Sequence, residues 1–443
     1  MTELGLRSLA RNATGIFARQ LLTGLMQLAI VVIIARVYGP EGNGRYVTAL
    51  LLPNLLATFL NLGVSPANVY FIASDKVSVG TAWRSSLKLC LIMSLVGLGV
   101  GAIVIHWFGE QWFPGVTQSL LWFSLIIFPI SLLLGFMSSL YQGMQQFMWF
   151  NLILLMQPAI NLTLIILLII SGNRGIELLF ITYLSGSIIT LLIGLYFLRP
   201  FLLKDITSNL NESYSIAALN YGYKAHLSNI FAFIIFKADI FLVNFFLGPS
   251  GAGIYIIAVQ LVERLWMVSQ AVSIVLLPRL SALSSHEDRQ NMITPLISRS
   301  VIFVTLLGAF VLAALAHPVI MILFGADFVA SFKPLLILLP GIVASAGARV
   351  LANDLAARGR PELNMYTSWI ALVVNLLGNI LLIPDYGLSG AAVATTLCYS
   401  TILILRVVMY SHFTGVAWQR TVFIRMSDFR GLKLMIFNRV QEK

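Results

Sequence analysis

Gly39-Pro40-Glu41-Gly42-Asn43-Gly44-Arg45-Tyr46 and Gly248-Pro249-Ser250-Gly251-Ala252-Gly253-Ile254-Tyr255 are two copies of one turn. Gly39, Pro40, Gly42, Gly44 and Tyr46 match Gly248, Pro249, Gly251, Gly253 and Tyr255 at a single constant offset. Similarity at a fixed offset is the trace of an internal duplication. Each copy follows an apolar run, near residues 16–37 and 225–247. A looser echo pairs Asn173-Arg174-Gly175-Ile176 with Asp385-Tyr386-Gly387-Leu388, each expected in a short turn before a closing span. Glycines so spaced can cradle phosphate, but a phosphate loop follows a strand and ends in Lys-Ser/Thr. Neither feature is present, so these are turns between two membrane spans.

Working outward from the turns, the chain is a membrane protein throughout. Of its 443 residues 59% are hydrophobic and 10% charged, and the mean hydropathy is +0.91. A soluble domain carries about 25% charged residues. No Asp, Glu, Lys or Arg occurs from Tyr46 to Ser74, Leu89 to Gly109 or Gln111 to Asn173. Since one crossing takes about 20 apolar residues, the last gap holds two. The first run, 16–37, exceeds the core of a cleaved signal, about 7–15 residues, and is expected to be the first span. Cys90 and Cys398 both lie in apolar runs, so neither a disulfide framework nor a metal site is expected. The net charge of +11 reads as flanking topology signals, not as a nucleic-acid surface.

Apolar runs and their breaks place spans near 16–37, 46–73, 86–108, 119–140, 150–171 and 178–198. Six more fall near 225–247, 253–279, 300–324, 333–357, 365–384 and 389–412. The expected fold class is therefore all-α integral membrane. About twelve transmembrane helices form two pseudo-symmetric six-helix lobes around a central cavity, with both termini inside. Lobes at 1–198 and 225–412 flank a cytoplasmic linker at 199–224, and a basic cytoplasmic tail covers 413–443. With the termini inside, nineteen basic residues fall on the cytoplasmic side and four outside, Arg36, Arg45, Arg174 and Lys333. That bias fits the positive-inside rule.

Polar groups within the spans are the site candidates, because a charge at mid-bilayer costs about 2.5–3.5 kcal/mol and usually faces a cavity. Span one repeats Arg19, Thr23 and Gln27 at helical spacing. Span two carries Asn54, Thr58, Asn61, Ser65 and Asn68 as a stripe, and such uncharged stripes suit interhelical hydrogen bonding as well as cavity lining. Span seven carries His226, Asn229, Lys237 and Asn244, with Asp239 pointing elsewhere. Gln260, Glu263 and Gln270 line span eight, where Arg264 follows Glu263. Ser345, Arg349 and Asn353 line span ten. Arg406 lies near the inner end of span twelve and is expected to snorkel. The basic excess suggests an anionic passenger, since phosphate oxygens pair well with Arg and Lys. Arg19, Gln27, Asn61, Asn68, Lys237, Arg264, Arg349 and Asn353 are the candidate substrate-binding residues. Asp239 and Glu263 are candidates for binding a coupling ion.

At this point the sequence resembles a known family. The turn Gly39–Tyr46, the run Asp239-Ile-Phe-Leu-Val-Asn-Phe-Phe-Leu-Gly248, and Asn375 leading to Leu382-Ile-Pro-Asp-Tyr-Gly-Leu-Ser-Gly-Ala-Ala-Val-Ala394 carry the resemblance. They are similar to the polysaccharide transporter family, the O-antigen and exopolysaccharide flippases of the multidrug/oligosaccharidyl-lipid/polysaccharide exporter superfamily. The resemblance runs from about Leu9 to His412. It implies two six-helix lobes that alternate access to a central cavity in a bacterial inner membrane. The implied passenger is an undecaprenyl-pyrophosphate-linked oligosaccharide, moved from the inner to the outer leaflet. Membrane lipids, an H⁺ or Na⁺ coupling ion, and polysaccharide polymerase and chain-length machinery are the implied partners. No cofactor and no nucleic acid are expected. The related lipid II flippases usually carry two further spans. The drug-exporting branch shares the lobes but uses an acidic cavity, and the candidates here lean basic. A membrane polymerase or ligase usually needs a large outer loop with catalytic residues, whereas the outer loops expected here are short.

Overall fold

Glycine with a positive φ, followed at once by proline, is a helix stop joined to a helix start. The glycine adopts a conformation closed to other residues, and proline fits the first helical position because its missing N–H has no partner there. A computed structural model, which describes residues 3–203, 212–282 and 287–425, shows that junction at both copies of the repeated turn. Gly39 has φ 66°, ψ −173°, and Gly248 has φ 73°, ψ −177°. The duplication read from five residues is therefore a duplication of backbone conformation. The looser echo fails this test. Gly387 has a positive φ of 57°, but Gly175 does not, the glycine of that turn with a positive φ being Gly172.

The helices are α1 (Glu3–Leu60), α2 (Val64–Ala73), α3 (Val79–Ile103), α4 (Gly109–Trp112), α5 (Gln118–Leu125), α6 (Ile127–Gly143) and α7 (Phe147–Ile170). They continue with α8 (Glu177–Leu203), α9 (Glu212–Glu263), α10 (Trp266–Ala282), α11 (Glu287–Leu323), α12 (Phe332–Ala357), α13 (Pro361–Thr414) and α14 (Gln419–Val422). A single turn of π-helix, Val104–Phe108, prolongs α3, and a 3₁₀ segment, Ala326–Ser331, precedes α12. Among the described residues, nine helices are long and apolar enough to cross a membrane. Three of these, in α1, α9 and α13, contain a non-helical glycine. At 54 residues, α13 would measure about 80 Å if straight, against a hydrocarbon core of about 30 Å. The breaks at Gly39, Gly248 and Gly387 fall where turns between spans were expected.

Two compact units are present, residues 1–257 with 320–330, and residues 258–319 with 331–443. The first packs around Leu120, Leu121, Phe128, Phe136 and Phe180, each at most 1% exposed. The second is built on α12 against α10 and α13, with Leu276, Leu280, Val301, Ala346 and Val350 buried between helices. Ile170, Ile322 and Leu381 are 76%, 72% and 67% exposed. Lipid solvates such apolar flanks, which water would not.

Within the segment expected as a linker, 199–224, α8 continues to Leu203 and α9 begins at Glu212. Residues 204–211, Lys204 among them, lie outside the described residues, as do the tail residues 426–443. Span two does not form one unbroken helix. Leu62 (φ 45°) and Gly63 (φ 77°) are left-handed and separate α1 from α2. Span eight is likewise broken, at Arg264 and Leu265, between α9 and α10.

The repeated turns also meet. A Cβ built on Gly44 would run into the carbonyl of Pro249, and one on Gly253 into the carbonyl of Pro40. Asn43 Nδ2 donates to the Gly253 carbonyl at 2.9 Å. A second close approach joins Gly63 and Gly222, each of whose missing Cβ would strike the other's backbone. Thus α9 touches the α1–α2 segment at two levels. The glycines make both crossings possible, because only bare backbone fits there.

Arg36 holds another segment of the first unit. Its guanidinium donates to the carbonyls of Met321 (3.2 Å), Ile322 (2.6 Å) and Leu323 (2.9 Å). These are carbonyls of the last turn of α11, which have no partner within their own helix, and a cation there also suits the helix dipole. In the sequence Arg36 stands only as a topology signal. Arg36→Gln is expected to speed amide exchange at residues 320–325 about fivefold, equivalent to about 1 kcal/mol for an exposed charged hydrogen bond. Unchanged exchange would show that the contact contributes nothing.

Candidate functional site

A polar residue placed in a membrane helix must find a partner in the protein or face a cavity. The candidates divide along that line. Asn68 is fully buried. Its Nδ2 donates to Ser86 Oγ and Ser139 Oγ, each at 3.0 Å, and its Oδ1 accepts from the Tyr214 hydroxyl at 2.7 Å. All its polar capacity joins α2 to α3, α6 and α9. Asn61 donates to Ser65 Oγ at 3.0 Å, at the break between α1 and α2. Asn54 is exposed, so Asn54, Asn61 and Asn68 do not share one wet face. The spacing argument assumed a continuous helix, and the left-handed Leu62-Gly63 pair rotates everything beyond it.

In α9, His226 is buried, with Nε2 2.8 Å from the Phe59 carbonyl, so that nitrogen carries the proton. Asn244 is buried and donates to the Pro114 carbonyl at 3.4 Å, while Asn229 is exposed. Lys237 is half-buried. Asp239 is 3% exposed, accepts the Ile240 N–H at 2.8 Å, and accepts the Tyr255 hydroxyl at 3.1 Å. Tyr255 belongs to the repeated turn, so Asp239 ties the two arms of α9 across its Gly248 break. In α1, Gln27 is exposed and Arg19 half-buried. Arg19 Nε, Gln20 Oε1 and Thr23 Oγ1 are buried without a hydrogen-bond partner among the described residues.

The second unit gathers its polar groups more tightly. Helix α12 is continuous, so Ser345, Arg349 and Asn353 share one face as their spacing requires, and that face meets α10. Trp266 Nε1 donates to Ser345 Oγ at 2.6 Å, the Arg349 guanidinium lies 5.7 Å from the Trp266 ring centre, and Asn353 Nδ2 donates to Ser273 Oγ at 2.8 Å. Arg406 belongs here too. It donates to the Ala348 carbonyl at 3.1 Å and to Thr367 Oγ1 at 3.3 Å. The expectation that Arg406 snorkels to headgroups is therefore corrected, because its guanidinium turns inward between α12 and α13. The positive charge of Arg349 acts on it directly. Arg264 sits in the α9–α10 break, with Nε buried and unpartnered among the described residues. Its neighbour Glu263 acts on it electrostatically. The geometric ion pairs Arg45–Glu41 and Arg358–Asp354 involve none of Arg19, Lys237, Arg264 or Arg349. No cluster of three metal-ligating side chains occurs among the described residues.

The sequence and the fold both have counterparts among known proteins. Residues 9–284 match the family described as polysaccharide biosynthesis protein. The chain belongs to that family. Among its relatives is the "Probable low-salt glycan biosynthesis flippase Agl15" of Haloferax volcanii, 27% identical over 57% of this chain. The match spans 53% of that relative's own length. Among solved structures, the lipid II flippase MurJ in an inward closed conformation superposes with TM-score 0.75 at 17% identity, covering 89% of this chain and 87% of that one. An inward-facing multidrug resistance MATE transporter of the MOP superfamily superposes with TM-score 0.71 at 13% identity, covering 90% and 96%. This family member therefore shares the fold of those two solved structures.

Proposed function

We propose that this chain is a flippase, not an enzyme, and that it moves a polyprenyl-pyrophosphate-linked oligosaccharide across the cytoplasmic membrane. The observation that carries the reading is a set of internal cations that form no carboxylate ion pair among the described residues: Arg19 and Lys237 in the first unit, Arg264 and Arg349 in the second. Cations left unneutralised in a low-dielectric setting favour an anionic guest, and guanidinium suits phosphate oxygens best. The sugar part would be held by side-chain amides such as those of Asn353 and Gln27. Family membership supports a polysaccharide-building role, and the relative from Haloferax volcanii is named a flippase.

Transport by alternating access follows from the same elements. In this reading both termini are cytoplasmic, the chain crosses the membrane twelve times, and the lobes are 1–198 and 225–412. The crossings at Gly44–Gly253 and Gly63–Gly222 part in turn. Moving negative charge out of a negative interior gains about 2.3 kcal/mol per charge per 100 mV, so a pyrophosphate passenger needs no nucleotide. Asp239 and Glu263 are proposed to bind H⁺ or Na⁺ where an ion gradient contributes. Polymerase and chain-length machinery are the proposed consumers of the product.

Reconstitution in proteoliposomes tests this. A polyprenyl-pyrophosphate carrying a labelled oligosaccharide should become accessible on the far face. Arg349→Gln should slow that at least tenfold, equal to about 1.4 kcal/mol of lost transition-state stabilisation, while Arg349→Lys keeps part of the rate. Wild-type flipping by Arg349→Gln would remove this arginine from the scheme. The shared fold with a multidrug exporter makes cation export the second reading. Dye efflux by the purified protein without lipid flipping would establish it in place of the first.

A further inference from the structure

A cleft of about 620 Å³ opens in the first unit, within the range of about 300–1,000 Å³ typical of small-molecule sites. Its walls carry Ser65, Tyr70, Ser74, Gln142, Tyr221 and Asn229. It lies where α2, the last turn of α6 and the early part of α9 come together. In the twelve-crossing reading above, with both termini cytoplasmic, that is the cytoplasmic face.

Tyr70 and Tyr221 are 38% and 42% exposed. Their rings stack at 4.4 Å between centres with only 10° between planes. Phe71 meets both edge-on, at 5.2 and 5.7 Å, and is itself braced edge-on by Tyr214 at 5.5 Å. Lys76 Nζ donates to the Tyr70 hydroxyl at 2.8 Å. The pair is thus a braced aromatic platform whose rim carries amides and hydroxyls. Among the described residues no carboxylate lines the cleft, which disfavours a metal ion or an organic cation. Six polar side chains around an open mouth disfavour an acyl chain, which would strand them. A pyranose ring meets both demands. Its C–H face packs on a tyrosine ring, and its hydroxyls exchange hydrogen bonds with Gln142, Asn229 and the serines.

The geometry points to a saccharide-binding subsite formed by Tyr70, Tyr221, Gln142 and Asn229, which reads the sugar portion of the passenger separately from the cations that hold its phosphates. This inference rests on the flippase reading above. The cleft would meet the sugars at the face where lipid-linked oligosaccharides are assembled.

Binding to the full-length protein in nanodiscs tests it with three probes. They are undecaprenyl pyrophosphate, the lipid-linked oligosaccharide extracted from the producing cell, and the free oligosaccharide released from it. Tyr221→Ala and Gln142→Ala should each weaken the glycolipid about tenfold and change undecaprenyl pyrophosphate less than twofold. Tyr221→Phe, which keeps the ring, should bind the glycolipid like the wild type. Free oligosaccharide that competes with the glycolipid in wild type but not in Tyr221→Ala supports the subsite and shows that the lipid is not needed to fill it. Equal weakening of both lipids, or wild-type glycolipid binding by Tyr221→Ala, overturns the subsite while leaving the flippase reading intact. Failure of the wild type to bind either lipid overturns both.

Discussion

Alanine at Gly44 is expected to destabilise the folded protein by about 3 kcal/mol, the upper end of ordinary overpacking costs. The single added carbon would overlap the Pro249 carbonyl and lie 2.9 Å from the Gly253 nitrogen. A flexible side chain could swing aside, but a carbonyl within a packed helix start cannot. Gly253→Ala should cost a similar amount, since its Cβ would overlap the Pro40 carbonyl. The two substitutions act on one crossing. Once the first has forced the backbones apart, the second finds room, so their costs should fall well short of adding. Gly99 and Gly135 supply the contrast, because a Cβ at either meets nothing within 4 Å. In helix interiors, Gly99→Ala and Gly135→Ala should raise stability by up to about 1 kcal/mol through lost unfolded-state entropy. Reversible unfolding in mixed micelles measures all of these. Gly44→Ala and Gly99→Ala unfolding alike would mean that the crossing at the repeated turn carries no tight packing.

That result bears on how much of this protein could be read from its sequence. The repeated turn was legible because backbone conformation dictates its residues, glycine for the positive φ and proline for the helix start that follows. Long apolar runs were legible for an equally direct reason. Helix α12, Phe332–Ala357, begins one residue from its expected start at 333, and its Ser345-Arg349-Asn353 face survives because nothing interrupts it. Stripes failed where a helix broke. The break at Leu62-Gly63 left a trace in Gly63 and Pro66, which the regular spacing of asparagines overrode. The break at Arg264-Leu265 has neither glycine nor proline to announce it. Tertiary partners were not legible at all. Arg36 finds the carbonyls of residues 321–323 and Arg406 the carbonyl of Ala348 at separations in sequence that no local pattern encodes. The same holds for the stacked Tyr70 and Tyr221, which belong to different helices.

Asn68 makes the sharpest test of that distinction, because its spacing suits substrate binding while its hydrogen bonds suit holding helices together. Asn68→Leu keeps roughly the same volume but removes three hydrogen bonds. It leaves the Ser86, Ser139 and Tyr214 hydroxyls, all at most 6% exposed, without that partner. Interhelical hydrogen bonds in membranes contribute about 0.6 kcal/mol on average and up to about 1.7, while an orphaned buried group costs about 1–3 kcal/mol. The substitution should therefore cost about 3 kcal/mol. Tyr214→Phe removes one donor and should cost about 1 kcal/mol. Combined with Asn68→Leu it should add almost nothing, because the hydroxyl it deletes is already stranded. A ligand-facing asparagine would behave otherwise. Its loss would leave unfolding unchanged, lower transport of the glycolipid, and combine additively with Tyr214→Phe. A double-mutant cycle on unfolding, run beside the transport assay, separates the two roles. Should Asn68→Leu unfold like the wild type yet fail to transport, the buried hub would give way to the binding role that the spacing first suggested.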